Sequence, residues 1–236
     1  MTDFPSALVE IRKAAREPSL APRLHVALIM GGGEQGDWLA AIRRTIEAAA
    51  RNGITHLTLF GFTTGLLHHC VRDGLADLEE SGIRLSVVGA REGLPSDLAA
   101  LIAAAEERTR INPGLHLAIA LDCGGRADIV SAARRLAMQV RDGALAPHEI
   151  DECRLGASLW TGALPPPDLL IRTGGRQRLD DILLWQIAYA EMVFVDRRWS
   201  DFTGEDLDAA ILEFRRRDRR FGAIKPDILA GAALLP

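Results

Sequence analysis

Four short apolar runs, each followed by a longer stretch, constrain the fold of this chain more than any other feature. Leu24 to Met30 (LHVALIM), Ile54 to Phe62 (ITHLTLFGF), Ile83 to Val88 (IRLSVV) and Leu115 to Leu121 (LHLAIAL) read as strands. Trp38 to Arg51 has helical spacing and closes at Asn52-Gly53, and Leu75 to Ser81 reads as a short helix closing at Gly82. Leu98 to Arg110 opens behind Pro95, with Ser96 or Asp97 as its cap. Arg126 to Gly143 continues as a helix with Ala132, Ala133, Leu136, Ala137 and Val140 on its apolar side. Leu169 to Ile171 is a fifth strand and Asp181 to Ala190 a buried helical segment. Met192 to Val195 is a sixth strand, and Thr203 to Arg219 a closing amphipathic helix. The alternation predicts a single α/β domain over residues 21–222, a mainly parallel six-stranded sheet flanked by helices. Residues 1–20 read as an N-terminal extension or helix, and residues 223–236 as a tail.

Ligands of such sheets bind outside the carboxyl ends of the strands. That directs attention to four loops: Gly31 to Asp37, Thr63 to Arg72, Asp122 to Arg126 and Arg172 to Asp180. A net charge of −4 argues against nucleic acid as a general partner. Cys70, Cys123 and Cys153 lack CxxC spacing and form an odd set, so a reducing cytoplasm is expected rather than a disulfide framework. No window approaches the ~20 apolar residues of a membrane span, and the first residues lack a signal-peptide run.

Chemistry concentrates in Ile171 to Arg178 (IRTGGRQR), where Arg172, Arg176 and Arg178 flank Gly174-Gly175 at the end of a strand. Guanidinium groups match phosphate oxygens bidentately and glycine N–H groups add donors, which makes a diphosphate cradle. Gly31-Gly32-Gly33 can hold an anion through backbone N–H groups, without a Walker A lysine. His68-His69-Cys70 carries metal-ligand residue types, but no second cluster completes a site.

The stretch from Asp168 to Glu191 (DLLIRTGGRQRLDDILLWQIAYAE) resembles the isopentenyl-diphosphate-binding segment of cis-prenyltransferases, the undecaprenyl diphosphate synthase family. Trp199-Ser200-Asp201-Phe202 resembles its WPDF, Arg217 to Gly222 its closing R.RRFG, and Cys123 to Ile129 its YGGR.(E/D)I. His25 to Met30 resembles HVAIIM, and Asn52 to Thr64 the NGI..LTLYAFS segment. The resemblance implies that Arg172 and Arg178, with Gly174, Gly175, Gly32, Gly33, Arg126, Arg220 and Gly222, form diphosphate sites. It also implies that Glu191 helps to place Mg²⁺, and that isopentenyl diphosphate and an allylic prenyl diphosphate are the ligands of a homodimer or of a heterodimer with a complete homologue.

The chain departs from that pattern where the chemistry should lie. The family's aspartate after the first strand is Gly31 here, leaving Asp37 and Glu34 as the nearby carboxylates available to replace it. Helix-sized segments are missing before Asn52 and after Thr64, so the usual tunnel for a growing chain would not be walled. The serine after Arg178-Leu179 is Asp180, a carboxylate that would repel a diphosphate unless an arginine or a metal intervenes. The expectation is short-chain or redirected prenyl diphosphate chemistry. The alternative is a non-catalytic isoprenoid diphosphate binder, or the accessory subunit of a heteromer.

Overall fold

The computed structural model describes residues 24–31 and 37–217. In chain order these form β1 (Leu24–Ile29), α1 (Trp38–Arg51), β2 (Ile54–Phe62), α2 (Thr64–Glu80), β3 (Arg84–Gly89), α3 (Ser96–Thr109) and β4 (His116–Leu121). There follow α4 (Gly125–Arg141), α5 (Glu152–Ala157), β5 (Leu169–Arg172), β6 (Glu191–Phe194) and α6 (Gly204–Arg216), with single 3-10 turns at Pro147–Glu149 and Trp199–Asp201. All neighbouring strands pair in parallel, in the order β3-β4-β2-β1-β5-β6. The chain leaves β1 toward β2 on one side and reaches β5 on the other, so strand order reverses between β1 and β5. That reversal opens a crevice at the carboxyl ends of these two strands.

Burial explains why the elements stack as they do. One sheet face is covered by Ala41, Ile42 and Ile46 of α1, Leu67 and Val71 of α2, Leu98, Ile102 and Ala105 of α3, and Leu207, Ile211 and Phe214 of α6. Their three- and four-residue spacing puts each set on one helix face. Each buried Leu or Ile side chain contributes roughly 1.5–3 kcal/mol. The opposite face has a smaller cluster, Ala27, Ile29, Phe60, Val88, Ala120, Leu170 and Leu183, packed against loop residues such as Cys123, Leu179 and Ile187.

Several expectations need correction. The second helix starts at Thr64 rather than Leu75, because Thr63 caps it: its hydroxyl accepts from Leu66 N–H and its carbonyl from Leu67 N–H. Leu67 and Val71, one turn apart, then anchor it in the core, so the loop expected over Thr63 to Arg72 is helix and His68-His69-Cys70 lies on it. Asp181 to Ala190 is a chain of turns, not a helix, since Leu183 adopts a left-handed φ of 50° that ends any helical run. Neither Ser96 nor Asp97 caps α3; Pro95 holds that position and makes no side-chain bond. On α4, Ala133 and Ala137 face outward, whereas Asp128 is buried beside Ala132 and Leu136.

Candidate diphosphate site

The crevice between β1 and β5 is closed by a short set of bonds. Register places Ile29 beside Arg172, so Gly31 and Thr173 emerge side by side. Gly31 N–H donates to Thr173 Oγ1 at 2.9 Å, and Gly31 C=O accepts from Trp199 N–H at 2.9 Å. A Cβ on Gly31 would lie 2.4 Å from the Thr173 carbonyl oxygen. Where the resemblance places an aspartate, this backbone leaves no room for a side chain. Trp199 is fully buried and stacks on Phe202 at 5.8 Å, which gives the WSDF motif its role as a buttress under Gly31.

Beside this closure stand the arginines. Arg172 is 4% exposed, yet its Nε has no hydrogen-bond partner while one Nη2 lies 2.5 Å from Asp180 Oδ2. Arg178 Nε meets the other Asp180 oxygen at 2.6 Å, and Arg176 approaches at 3.9 Å. Desolvation works to raise the Asp180 pKa, and the Arg172 and Arg178 guanidiniums outweigh it, holding the carboxylate below its ordinary range. The next residue, Asp181, ties this loop to the start of α4. Its backbone carbonyl accepts from Gly125 N–H at 2.7 Å and its side chain from Arg126 N–H at 3.1 Å. The largely exposed Arg126 side chain pairs with Asp181 at 3.5 Å.

The structure thus brings Arg172, Arg178 and Arg126 to one rim and adds Arg176 and Asp180 to it. The glycines contribute differently from the expectation. Gly174 and Gly175 adopt φ of 86° and 73°, and their N–H groups donate to Arg197 C=O and Val195 C=O. They shape the turn and are not free donors, because the β6 exit runs alongside and takes them. Gly32, Gly33, Glu34, Arg220 and Gly222 lie outside the described residues.

The carboxylates considered for Mg²⁺ have other partners. Asp37 is the N-cap of α1, accepting from Ala40 N–H at 3.0 Å. Glu191 begins β6 beside Leu169, three positions, or roughly 10 Å, from the Arg172 end. It pairs with Arg217 at 2.9 Å. Among the described residues no three His, Cys, Asp or Glu gather as a metal site, and Asp180, the carboxylate bound to Arg172, is paired with arginines. The described carboxylates therefore do not by themselves assemble a Mg²⁺ site, and Glu34 lies outside the described residues.

Two motif residues have structural work. Gln186 of LLWQ donates to Thr161 Oγ1 at 2.7 Å and to Asp128 Oδ2 at 3.3 Å, and Asp128 accepts from Trp160 N–H at 2.9 Å. Burial pushes the Asp128 pKa up, against these hydrogen bonds. They fasten α4 to the turn segment that carries Asp180.

A cleft of about 830 Å³, open solvent at its mouth included, lies between α1 and α2 over β3 and β4. Its walls are apolar, among them Leu39, Ile42, Ile46, Val71, Leu117 and Ile119, with Arg43, Glu47, His69 and Asp73 also lining it. Cys70 lines it too, and burial pushes that thiol up to about 11, which leaves it unreactive. The sequence pattern misses this cleft because it starts α2 at Leu75, too late in the chain; Leu67, Val71, Gly74 and Leu78 are the available signal.

Comparison with known proteins agrees with this geometry. Residues 34–222 match a prenyltransferase family model described as "Putative undecaprenyl diphosphate synthase". The chain is 41% identical to Isoprenyl transferase 2 of Bradyrhizobium diazoefficiens, over 85% of this chain and 90% of that protein. It is 38% identical to the Isoprenyl transferase of Caulobacter vibrioides, over 94% and 96%. Lavandulyl diphosphate synthase from Lavandula x intermedia, solved in complex with dimethylallyl diphosphate, superposes with a TM-score of 0.77 at 31% identity, covering 84% of this chain and 98% of that one. A probable undecaprenyl diphosphate synthase from Campylobacter jejuni gives 0.74 at 27%, covering 86% and 100%. With its parallel sheet, its arginine-lined crevice and these relatives, the chain belongs to the undecaprenyl diphosphate synthase family of isoprenyl transferases.

Proposed function

We propose that this prenyltransferase-like enzyme joins short prenyl diphosphates, holding isopentenyl diphosphate at Arg172, Arg176 and Arg178 and a small allylic diphosphate with its hydrocarbon in the cleft between α1 and α2. In such a reaction the allylic C–O bond breaks, a C–C bond forms to the double bond of the partner, diphosphate leaves and a proton is lost. The observation that carries the reading is the buried Arg172 with an unpaired Nε at the β1/β5 crevice, flanked by two more arginines. Guanidiniums in that place bind a diphosphate and stabilise the charge that grows on it.

The cleft supports the short-chain part. Its walls are largely apolar, as a bound hydrocarbon requires, and the superposable lavandulyl diphosphate synthase was solved with dimethylallyl diphosphate, a five-carbon allylic diphosphate. Among the described residues, Leu184, Trp185, Tyr189, Met192 and Phe194 expose apolar surface along β6, the last strand of the sheet, and the turns before it. This surface supports a dimer with a second copy of the chain.

The reading is tested by incubating the protein with isopentenyl diphosphate, labelled dimethylallyl, geranyl or farnesyl diphosphate and Mg²⁺, alone and with a complete homologue. Labelled short-chain product from the protein alone is expected, with Arg172→Ala raising KM for isopentenyl diphosphate tenfold or more, on the scale of about 1.5–3 kcal/mol for a charged hydrogen bond. Gly31 favours a second reading, an accessory subunit, because no side chain fits where the family's aspartate stands. Turnover seen only with the complete homologue would replace the first reading by the second.

A further inference from the structure

Asp180 sits where an anionic ligand of the arginine cluster would sit. Its two oxygens contact Arg172 and Arg178 at 2.5 and 2.6 Å, and Arg176 lies 3.9 Å away. Building on the reading of this cluster as a diphosphate site, we propose that Asp180 is a built-in competitor for it, a carboxylate that a diphosphate must displace and that therefore sets affinity and selectivity for the anion.

Two observations and one chemical argument support this. First, the Asp180 side chain makes its ionic contacts with the arginines, and its backbone is held in the left-handed region at φ 50°. Asp181, bound to Gly125 and Arg126 at the start of α4, fixes the turn that presents it. Second, the pairing is incomplete. Arg172 Nε stays buried without an acceptor, while Arg176 and Arg178 are largely exposed, so the cluster keeps donors and two positive charges beyond what one carboxylate neutralises. Third, two linked phosphate groups present more oxygens and charge than a carboxylate, whereas a single phosphate gains less from displacing it. The competitor thereby favours diphosphates over monophosphates.

Displacement needs only rotation of the Asp180 side chain, because its backbone is tied by its neighbours. Once displaced, the carboxylate remains near the ligand and opposes it, so its removal should strengthen binding at every ionic strength.

The test is calorimetric titration of inorganic pyrophosphate and of inorganic phosphate into the wild type, Asp180→Asn and Asp180→Ser, with Arg172→Ala as the control that locates binding. Asn keeps the shape and the tolerance of positive φ; Ser provides an independent uncharged variant, and thermal melting verifies the fold of each. Pyrophosphate should bind the wild type, and about tenfold more tightly in the uncharged variants. Phosphate should gain more than pyrophosphate, narrowing selectivity. If the wild type binds pyrophosphate through Arg172 and folded variants bind it no better, the competitor role is overturned and Asp180 instead orients Arg172. If neither wild type nor variants bind pyrophosphate, the diphosphate reading of the cluster falls, and this proposal with it.

Discussion

The carbonyl oxygen of Thr173 lies 2.4 Å from where a Cβ on Gly31 would stand, so the end of β5 occupies the space that a side chain after β1 would need. The contact is with backbone, and Thr173 is itself buried and bonded to both Ile29 and Gly31. It cannot swing aside as a flexible side chain would.

Restoring the family's aspartate should therefore harm the protein. Gly31→Asp is expected to cost roughly 2 kcal/mol or more through overpacking. For a chain of this size that lowers Tm by about 5 °C or more. Activity should not rise. A melting curve and a product assay check both parts, and a stable, more active variant would show that β1 and β5 separate readily.

Asp37 distinguishes a cap from a catalytic carboxylate. Its oxygen accepts from Ala40 N–H at the start of α1, a role Asn fills equally well. Asp37→Asn should leave stability and turnover near wild type, and Asp37→Ala should cost about 0.5–2 kcal/mol. A loss of turnover in a stable Asp37→Asn protein would reassign the residue to the chemistry.

Gly74 offers a way to fill the cleft. It lines the cavity on α2, and a Cβ there meets nothing within 4 Å. Gly74→Leu should fold at least as well as wild type, since glycine inside a helix costs roughly 1 kcal/mol. It should reduce turnover with farnesyl diphosphate more than with dimethylallyl diphosphate. Equal effects on both would place the hydrocarbon elsewhere.

Acid sensitivity should arise at the far end of the sheet. His25, His56 and His116 stand side by side on β1, β2 and β4, with ring centroids 5.7 and 5.4 Å apart. Burial pushes the His25 pKa down to about 4, and a hydrogen bond to Pro165 C=O only partly opposes it. Burial and then the Arg84 charge push His116 down to about 4 as well. The folded state thus binds fewer protons than the unfolded chain between about pH 4 and 6.5. Stability should be full above about pH 6.5 and fall as the pH drops toward 4. For His25 the loss is on the order of 3 kcal/mol. Urea denaturation at pH 7.5 and 5 should show the decline, reduced in a His25→Gln variant.

Strand existence was legible in the sequence because buried parallel strands are short continuous apolar runs, and LHVALIM and LHLAIAL admit little else. Asp181 to Ala190 was not, since its apolar residues are compatible with a helix and only the left-handed Leu183, packed under Ala27 and Phe60, makes it a run of turns. The start of α2 is hidden because Thr63 to Arg72 follows the carboxyl end of a strand, where a loop is expected, although Leu67 and Val71 carry the helical spacing.

For the site, the sequence by itself determined the family, the arginines after β5 and the loss of the carboxylate at Gly31, because these are matters of residue type at a motif position. It could not decide which charges meet. Asp180 reads as a repulsive substitution until the left-handed turn folds it back between Arg172 and Arg178. Glu191, one motif away, is carried by β5/β6 register to the other end of the strand and paired with Arg217. Gly31 is a lost side chain in sequence and a filled position in space, since only the pairing of β1 with β5 brings the Thr173 carbonyl against it.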